Sequence, residues 1–216
     1  MRVIPREAKK VITYSTQIRN LKKKNFSPFQ KAVLVGCLLG DGNAEISWEG
    51  KNYRLKIEHS VKQKDFVFWK YEIFKDFVLT EPKFCSRNKS IAFRTISHPD
   101  ITNFGEKFYR TGKKFLPRDL EAYFIDPKVI AVWFMDDGNV IKRNGKVYGY
   151  YLNSQSFTRE ENLFLKSLLE KIYGIKFSLE INHGRYRLRI MREKEREKFE
   201  EIIKPHIISS MRYKLG

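Results

Sequence analysis

One kind of helix, apolar on every side and ended by an acid and a glycine, occurs twice in this chain. The first comes after Ser27-Pro28, a capping residue with proline at the first helical position. It runs from Ala32 to Leu39 and stops at Gly40-Asp41-Gly42. The second comes after Asp126-Pro127 and runs from Val129 through Trp133 and Met135 to Asp136-Asp137-Gly138. A helix without a polar face must be buried all round. Two such helices among 216 residues therefore belong to the core, and their matching grammar indicates an internal duplication.

The segments after the two helices match as well. Residues 43–48 and 53–60 flank a Glu49-Gly50-Lys51-Asn52 turn, and residues 139–143 and 147–157 flank Asn144-Gly145, so each half predicts a β-hairpin. Helices are expected at 63–78 and at 158–173, the latter opened by a Thr158/Glu161 capping box. Two more strands come next in each half, 83–87 with 90–96 and 176–182 with 186–191. A last helix closes each, 100–110 and 193–203. The expected class is α+β: a pseudo-two-fold pair of αββαββα units, residues 27–118 and 119–216, each with a four-stranded antiparallel sheet. Residues 1–26, ending in Lys22-Lys23-Lys24, form an extension outside the repeat.

Net charge narrows the partner. Lysine and arginine exceed aspartate and glutamate to give +18, a surplus that calls for a polyanion, and nucleic acid leads. A membrane surface would want a basic amphipathic helix or a lipidation signal, and neither end shows one. No stretch reaches the length of a membrane span and the first residues lack a signal-peptide core, so an intracellular protein is expected. Cys37 and Cys85 form no Cys-x-x-Cys pair, which removes a zinc site. As two buried or half-buried thiols they suit a reducing compartment. His59, His98, His183 and His206 are scattered and read as surface or core residues. There is no P-loop and no HEXXH motif.

The basic residues alternate along the expected strands. Arg185, Arg187 and Arg189 share one face, with Tyr186, Leu188 and Ile190 on the other. Arg54 and Lys56 oppose Leu55 and Ile57 in the same way. With Arg87, Arg94, Lys142 and Arg143 they are the candidates for groove or phosphate contact, because the major groove admits a β-ribbon and arginine reads guanine through two hydrogen bonds.

Asp41 and Asp137 are the residues with chemistry. One reading is that Asp-Gly merely ends a helix, glycine supplying a left-handed cap. Yet an acid meets the unfavourable end of the helix dipole there, and it does so twice, with Asp136 a third acid. Gly36 and Gly40 lie on one helix face and would let the other apolar helix approach closely. Side-by-side packing would then bring Asp41 and Asp137 together. Two close carboxylates raise each other's proton affinity and repel DNA phosphate. A hard divalent cation, Mg²⁺ foremost, relieves both and supports phosphodiester hydrolysis.

Leu34-Val35-Gly36-Cys37-Leu38-Leu39-Gly40-Asp41-Gly42 and Ile130-Ala131-Val132-Trp133-Phe134-Met135-Asp136-Asp137-Gly138 resemble the helix for which the LAGLIDADG homing endonucleases are named. Their sixth letters, Leu39 and Met135, depart from the family's frequent aspartate, and the final Asp-Gly is kept in both. The resemblance is to single-chain members with two motifs and spans roughly residues 28 to 215. It rests also on Gln155-Ser156-Phe157-Thr158, Ile203-Lys204-Pro205 and Tyr213-Lys214-Leu215.

The resemblance implies a metal bound by Asp41 and Asp137 with the carbonyls of Gly40 and Asp136, Mn²⁺ able to replace Mg²⁺, and Ca²⁺ binding without cleavage. It implies Lys114 and Lys214 as the basic residues flanking the scissile phosphates; they stand 73 and 77 residues after their acids. Lys56 and Asn153 are implied as polar residues on facing strands, although the enzymes resembled carry an amide where Lys56 stands. It implies two sheets forming a saddle on the major groove, with the two motif helices at the central interface. The product would be a double-strand break with 3′ overhangs in a long asymmetric target. The chain would be a monomer, encoded in an intron and working in a mitochondrion, a chloroplast or a microbial cytoplasm. The alternatives are an RNA maturase acting on intron RNA and a non-catalytic DNA-binding regulator. Retention of both acids and both lysines favours cutting.

Overall fold

The computed structural model describes residues 16–47 and 50–216. The expectations for residues 1–15 and for Trp48 and Glu49 of the first turn lie outside them. By its contacts the chain divides into two compact units. Of the described residues, one contains those from 16 to 31 and from 42 to 106; the other contains 32–41 and 107–216.

The first unit begins with helix α1 (Thr16–Lys22) and the start of α2 (Pro28–Leu39). Strands β1 (Asn43–Ile46), β2 (Tyr53–Ser60), β3 (Lys83–Cys85) and β4 (Ser90–Arg94) pair antiparallel in the order β1-β2-β4-β3. Helix α3 (Lys64–Phe74) separates the two hairpins and α4 (Pro99–Phe108) comes after them. Leu55, Ile57 and Phe93 point into a core that also holds Phe66, Phe74 and Phe77. Phe26 closes it, stacked on His98 with ring centroids 4.5 Å apart.

The second unit adds a two-residue hairpin, β5 (Tyr109–Arg110) and β6 (Lys113–Lys114), then helices α5 (Glu121–Phe124) and α6 (Pro127–Asp137). Its sheet is built from β7 (Gly138–Arg143), β8 (Lys146–Leu152), β9 (Ser178–Asn182) and β10 (Arg185–Ile190), in the order β7-β8-β10-β9. Helix α7 (Arg159–Tyr173) lies between its hairpins and α8 (Glu193–Ile203) comes after them. Trp133, Phe134, Tyr150, Phe177 and Phe199 fill the core. The expected α+β class and the twice-repeated αββαββα order hold. Helices α1 and α5 and the β5–β6 hairpin were not anticipated.

Local chemistry explains the boundaries. Ser27 Oγ accepts from Gln30 N at 3.2 Å and Gln30 Oε1 accepts from Ser27 N at 2.9 Å, a reciprocal box that starts α2. Asp126 Oδ1 accepts from Lys128 N at 3.0 Å to start α6. Thr158 and Glu161 form the expected box at the head of α7. Thr158→Ala is expected to cost about 1 kcal/mol. A thermal melt lowered by roughly 2–4 °C would show it, and an unshifted melt would dismiss the cap.

Several expected strands are shorter than the pattern suggested. β8 ends at Leu152 rather than 157 because the buried Asn162 amide donates to the carbonyls of Ser154, Phe157 and Thr158, at 3.2, 3.1 and 2.9 Å, and folds that segment into a turn. β3 ends at Cys85, so Arg87 sits in an exposed turn, not on a strand. Cys37 is buried, but Cys85 is exposed, against the expectation of two buried or half-buried thiols. Among the described residues no helix is long and apolar enough to cross a membrane.

Candidate active site and nucleic-acid interface

Residues 32–39 of α2 are buried without exception, as a helix lacking a polar face requires. They pack on α6 at two glycines. A Cβ on Gly36 would lie 2.6 Å from Val132 Cβ and 2.8 Å from Val129 O. One on Gly40 would lie 2.4 Å from Asp136 Cβ. No side chain fits at either place, so the backbones approach as the spacing of the glycines predicts.

That approach gathers the acids. Carboxylate oxygens of Asp41 and Asp136 lie within 4.8 Å of one another. Burial, and then the charges of Asp41 and Asp136, push the Asp137 carboxyl up to about 8, against the pull of Lys114 and Lys214. Asp41 itself is exposed. The reading of Gly138 as a left-handed cap is wrong: its φ is −80° and its backbone extended. Glycine is required there for space, because a Cβ would lie 2.1 Å from the Phe134 ring and 2.4 Å from Phe134 O.

Lysine answers the unfavourable dipole end of each helix. Lys114 Nζ donates to Gly40 O at 2.8 Å. Lys214 Nζ, buried, donates to Met135 O at 2.6 Å and Asp136 O at 2.8 Å. Cations hydrogen-bonded to the last carbonyls of a helix are favoured there. The carbonyls expected to serve a metal thus already accept a lysine each, with a second lone pair remaining.

Delivery of each lysine is tertiary. Lys114 sits on β6, where the Thr111-Gly112 turn, both residues at positive φ, folds it back against Tyr109. Lys214 ends a 3-10 turn, Ser209–Lys214, beside Leu215, whose carbonyl lies 2.7 Å from the Tyr150 hydroxyl. Desolvation lowers the pKa of Lys114 despite the charges of Asp137, Asp136 and Asp41.

Asn153 reaches this region through its backbone, donating to Asp137 O at 3.1 Å. Its side-chain amide donates to Asn139 and accepts from Arg187 Nη1 at 3.4 Å. Lys56 is ion-paired within its own sheet, 2.7 Å from Glu58 and 3.9 Å from Glu45.

The basic faces are real but not bare. On the first sheet Glu45 Oε2 accepts from Arg54 Nη2 at 3.2 Å and from Arg94 Nε at 3.1 Å. On the second, Glu180 meets Arg187 Nη2 at 2.7 Å and Arg189 Nη1 at 2.8 Å. The Arg187 guanidinium also lies 3.5 Å above the Tyr151 ring, leaving its side chain only 15% exposed. Burial pushes the Glu180 carboxyl up, but Arg187 and Arg189 outweigh it and hold it below its usual range. Lys142, Arg143 and Arg185 are exposed, Arg143 against the Tyr148 ring.

Residues 31–199 match the family described as the LAGLIDADG DNA endonucleases. The chain belongs to that family. It is 28% identical over 207 residues to the DNA endonuclease I-ChuI of Chlamydomonas applanata, covering 87% of this chain and 94% of that one. It is 29% identical over 208 residues to the cytochrome b mRNA maturase bI2 of Debaryomyces hansenii, covering 89% and 77%. Its fold is similar to that of the homing endonuclease I-WcaI bound to its DNA recognition sequence, with a TM-score of 0.82, 27% identity and coverage of 94% and 93%.

Reading the LAGLIDADG pattern brings out the acids and the close-packed glycines. It misses Glu45 and Glu180, which lie on the basic faces. Pairing of Glu45 with Arg54 across the first hairpin follows from its alternation. The Glu180–Arg187 pair needs the register of the last hairpin.

Proposed function

We propose that this DNA endonuclease is a site-specific homing enzyme that makes a double-strand break in a long, asymmetric duplex target. The observation that carries the reading is the meeting of Asp41, Asp136 and Asp137 at the ends of two apolar helices in a chain of net charge +18. Three mutually repelling acids with nearby carbonyl oxygens are a hard-oxygen donor set, and they fit a divalent cation of the Mg²⁺ class. Asp41 and Asp137, with the carbonyls of Gly40 and Asp136, would hold it. Mn²⁺ is expected to replace Mg²⁺, and Ca²⁺ to bind without cleavage. Bound there, such a cation supplies Lewis-acid polarisation of the phosphate and an activated water.

The chain's own residues do the rest. Lys114 and Lys214 brace the helix ends and place positive charge where the scissile phosphates gain negative charge. Asn153 ties the strand after Asp137 to the basic face. The lysines and arginines of both sheets hold the duplex, Arg94 and Arg189 among them. Because both motifs lie in one chain, a monomer suffices, and its two halves differ enough for an asymmetric site; the family resemblance implies 3′ overhangs. A host intron in an organellar or microbial genome fits the similarity to a probable intron-encoded endonuclease, 29% identical over 212 residues.

The test is selection of cleaved sites from a random duplex library with Mg²⁺, against a chelator control. A single recovered sequence is expected, with affinity falling about 10³-fold or more between 50 and 200 mM salt. No cleaved duplex, or a flat salt profile, rejects the reading. Lys114→Met and Lys214→Met are each expected to lower the cleavage rate about 10²-fold, the scale of one positioned charge at the reacting group. A full rate in both variants would remove the lysines from the site. The similarity to a maturase favours intron RNA as a second partner, which binding to the host transcript would reveal.

A further inference from the structure

On the basic face of each sheet one glutamate holds two arginines, and this pairing is more specific than charge balance demands. We infer that Glu45 and Glu180 are positioning residues: each sets a pair of arginines as fixed forks and thereby decides which base pairs are read, while weakening the grip on DNA in general. The inference rests on the duplex-cutting reading above and deepens it.

The two sheets reach the pairing differently: Glu45 on β1 holds Arg54 of β2 and Arg94 of β4, whereas Glu180 on β9 holds Arg187 and Arg189, both of β10. β4 and β10 hold the same place in their strand orders, and Arg94 and Arg189 stand on them. Arg94 gives Nε to Glu45, which leaves its Nη1 and Nη2 edge for a planar pair of acceptors, and its side chain is 50% exposed. Arg189 is ion-paired with Glu180, Nη1 lying 2.8 Å from Oε2, and its side chain is 37% exposed. The second arginine of each pair is the buttress. Arg54 gives Nε and Nη2 to Glu45. Arg187 is held by Glu180, Asn153 and the Tyr151 ring.

A carboxylate on a surface that meets phosphate repels it, so it must return something. An arginine already fixed has less rotamer freedom left to lose when it docks, and its planar fork recognises guanine only when correctly oriented. An ordinary surface ion pair would contribute little to either.

The experiment measures binding of the full chain, in chelator and at fixed salt, to three probes. They are the duplex recovered by cleavage selection, its full set of single-base-pair variants, and a random-sequence duplex. Glu45→Ala is expected to bind the random duplex several-fold more tightly. Its preference for the selected duplex should fall about tenfold at one short block of base pairs, the discrimination of one bidentate arginine–guanine contact. Glu180→Ala should do the same at a different block. Arg94→Ala and Arg189→Ala should lose discrimination at those same blocks but bind the random duplex more weakly. This opposite sign is what a merely structural role would not produce.

Glutamate variants that keep their preference at every position overturn the proposal. So do variants that lose selected and random binding in equal proportion. Glu45→Gln and Glu180→Gln, which keep the side chain's size, are judged by the same criteria if the alanine variants melt early. A parent chain that does not distinguish selected from random duplex sinks the nuclease reading itself, a separate result read on the unsubstituted protein.

Discussion

Asp137→Asn is expected to abolish double-strand cleavage, by about 10³-fold or more, while leaving duplex binding intact and making the metal-free protein more stable. The three outcomes share one cause. Burial and the neighbouring charges of Asp41 and Asp136 push the Asp137 carboxyl from 3.8 up to about 8. A group whose folded-state value is raised contributes its full stability only below its ordinary value and loses it as pH climbs toward the raised one. The parent in chelator should therefore lose stability progressively as pH rises from about 4 to 8. Asparagine carries no such charge, so the slope should flatten and the variant should melt higher than the parent at pH 8. Asp41→Asn should match the cleavage loss and should lower the Asp137 value by removing one of its repelling charges. Thermal melts across pH and a cleavage assay read all of this. Identical pH profiles for parent and Asp137→Asn, or cleavage at the parental rate by either variant, would show that the acids are not one cluster.

Gly36→Ala is the second large effect. Its new methyl would lie 2.6 Å from Val132 Cβ and 2.8 Å from a backbone carbonyl. Neither is the loose end of a flexible side chain, so α2 and α6 must separate. Overpacking of this kind costs about 1–3 kcal/mol, which for a chain of this size lowers the melting temperature by roughly 2–4 °C per kcal/mol. Cleavage should suffer beyond the loss of folded protein, because displacement of reacting groups by an ångström is worth about 10²-fold. Val132→Gly in the same chain, which removes the nearest clashing carbon, should restore part of the cleavage, as expected of two residues that touch. A parental melt and rate in Gly36→Ala would mean that the two helices do not approach as described.

Much of the molecule is legible in one dimension. Two helices without a polar face have one place to go, and period-two alternation around Leu55-Ile57 and Leu188-Ile190 assigns inward and outward faces. Thr158 with Glu161, and Asn144 with Gly145, mark a helix start and a hairpin through side-chain and backbone requirements that hold in any fold. The resemblance to LAGLIDADG proteins adds Lys114 and Lys214, which no local pattern singles out. The features that were not legible turn on how particular side chains pack and hydrogen-bond, which a polarity pattern does not carry even over a few residues. β8 stops early because the Asn162 side chain, on the next helix, captures three carbonyls. Gly138 is needed for the Phe134 ring, not for a left-handed turn.

By itself the sequence determined the repeated αββαββα order, the burial of both motif helices, the basic character of the sheets and the identity of the acids, because each follows from polarity at a fixed spacing or from a residue type. Tertiary structure alone decided that residues 32–41 pack in one compact unit with 107–216, that Lys114 and Lys214 reach the helix ends, and that Glu45 holds Arg94 as well as Arg54. Those outcomes turn on distances between atoms remote in the chain, which close packing and strand register fix and which no local pattern encodes.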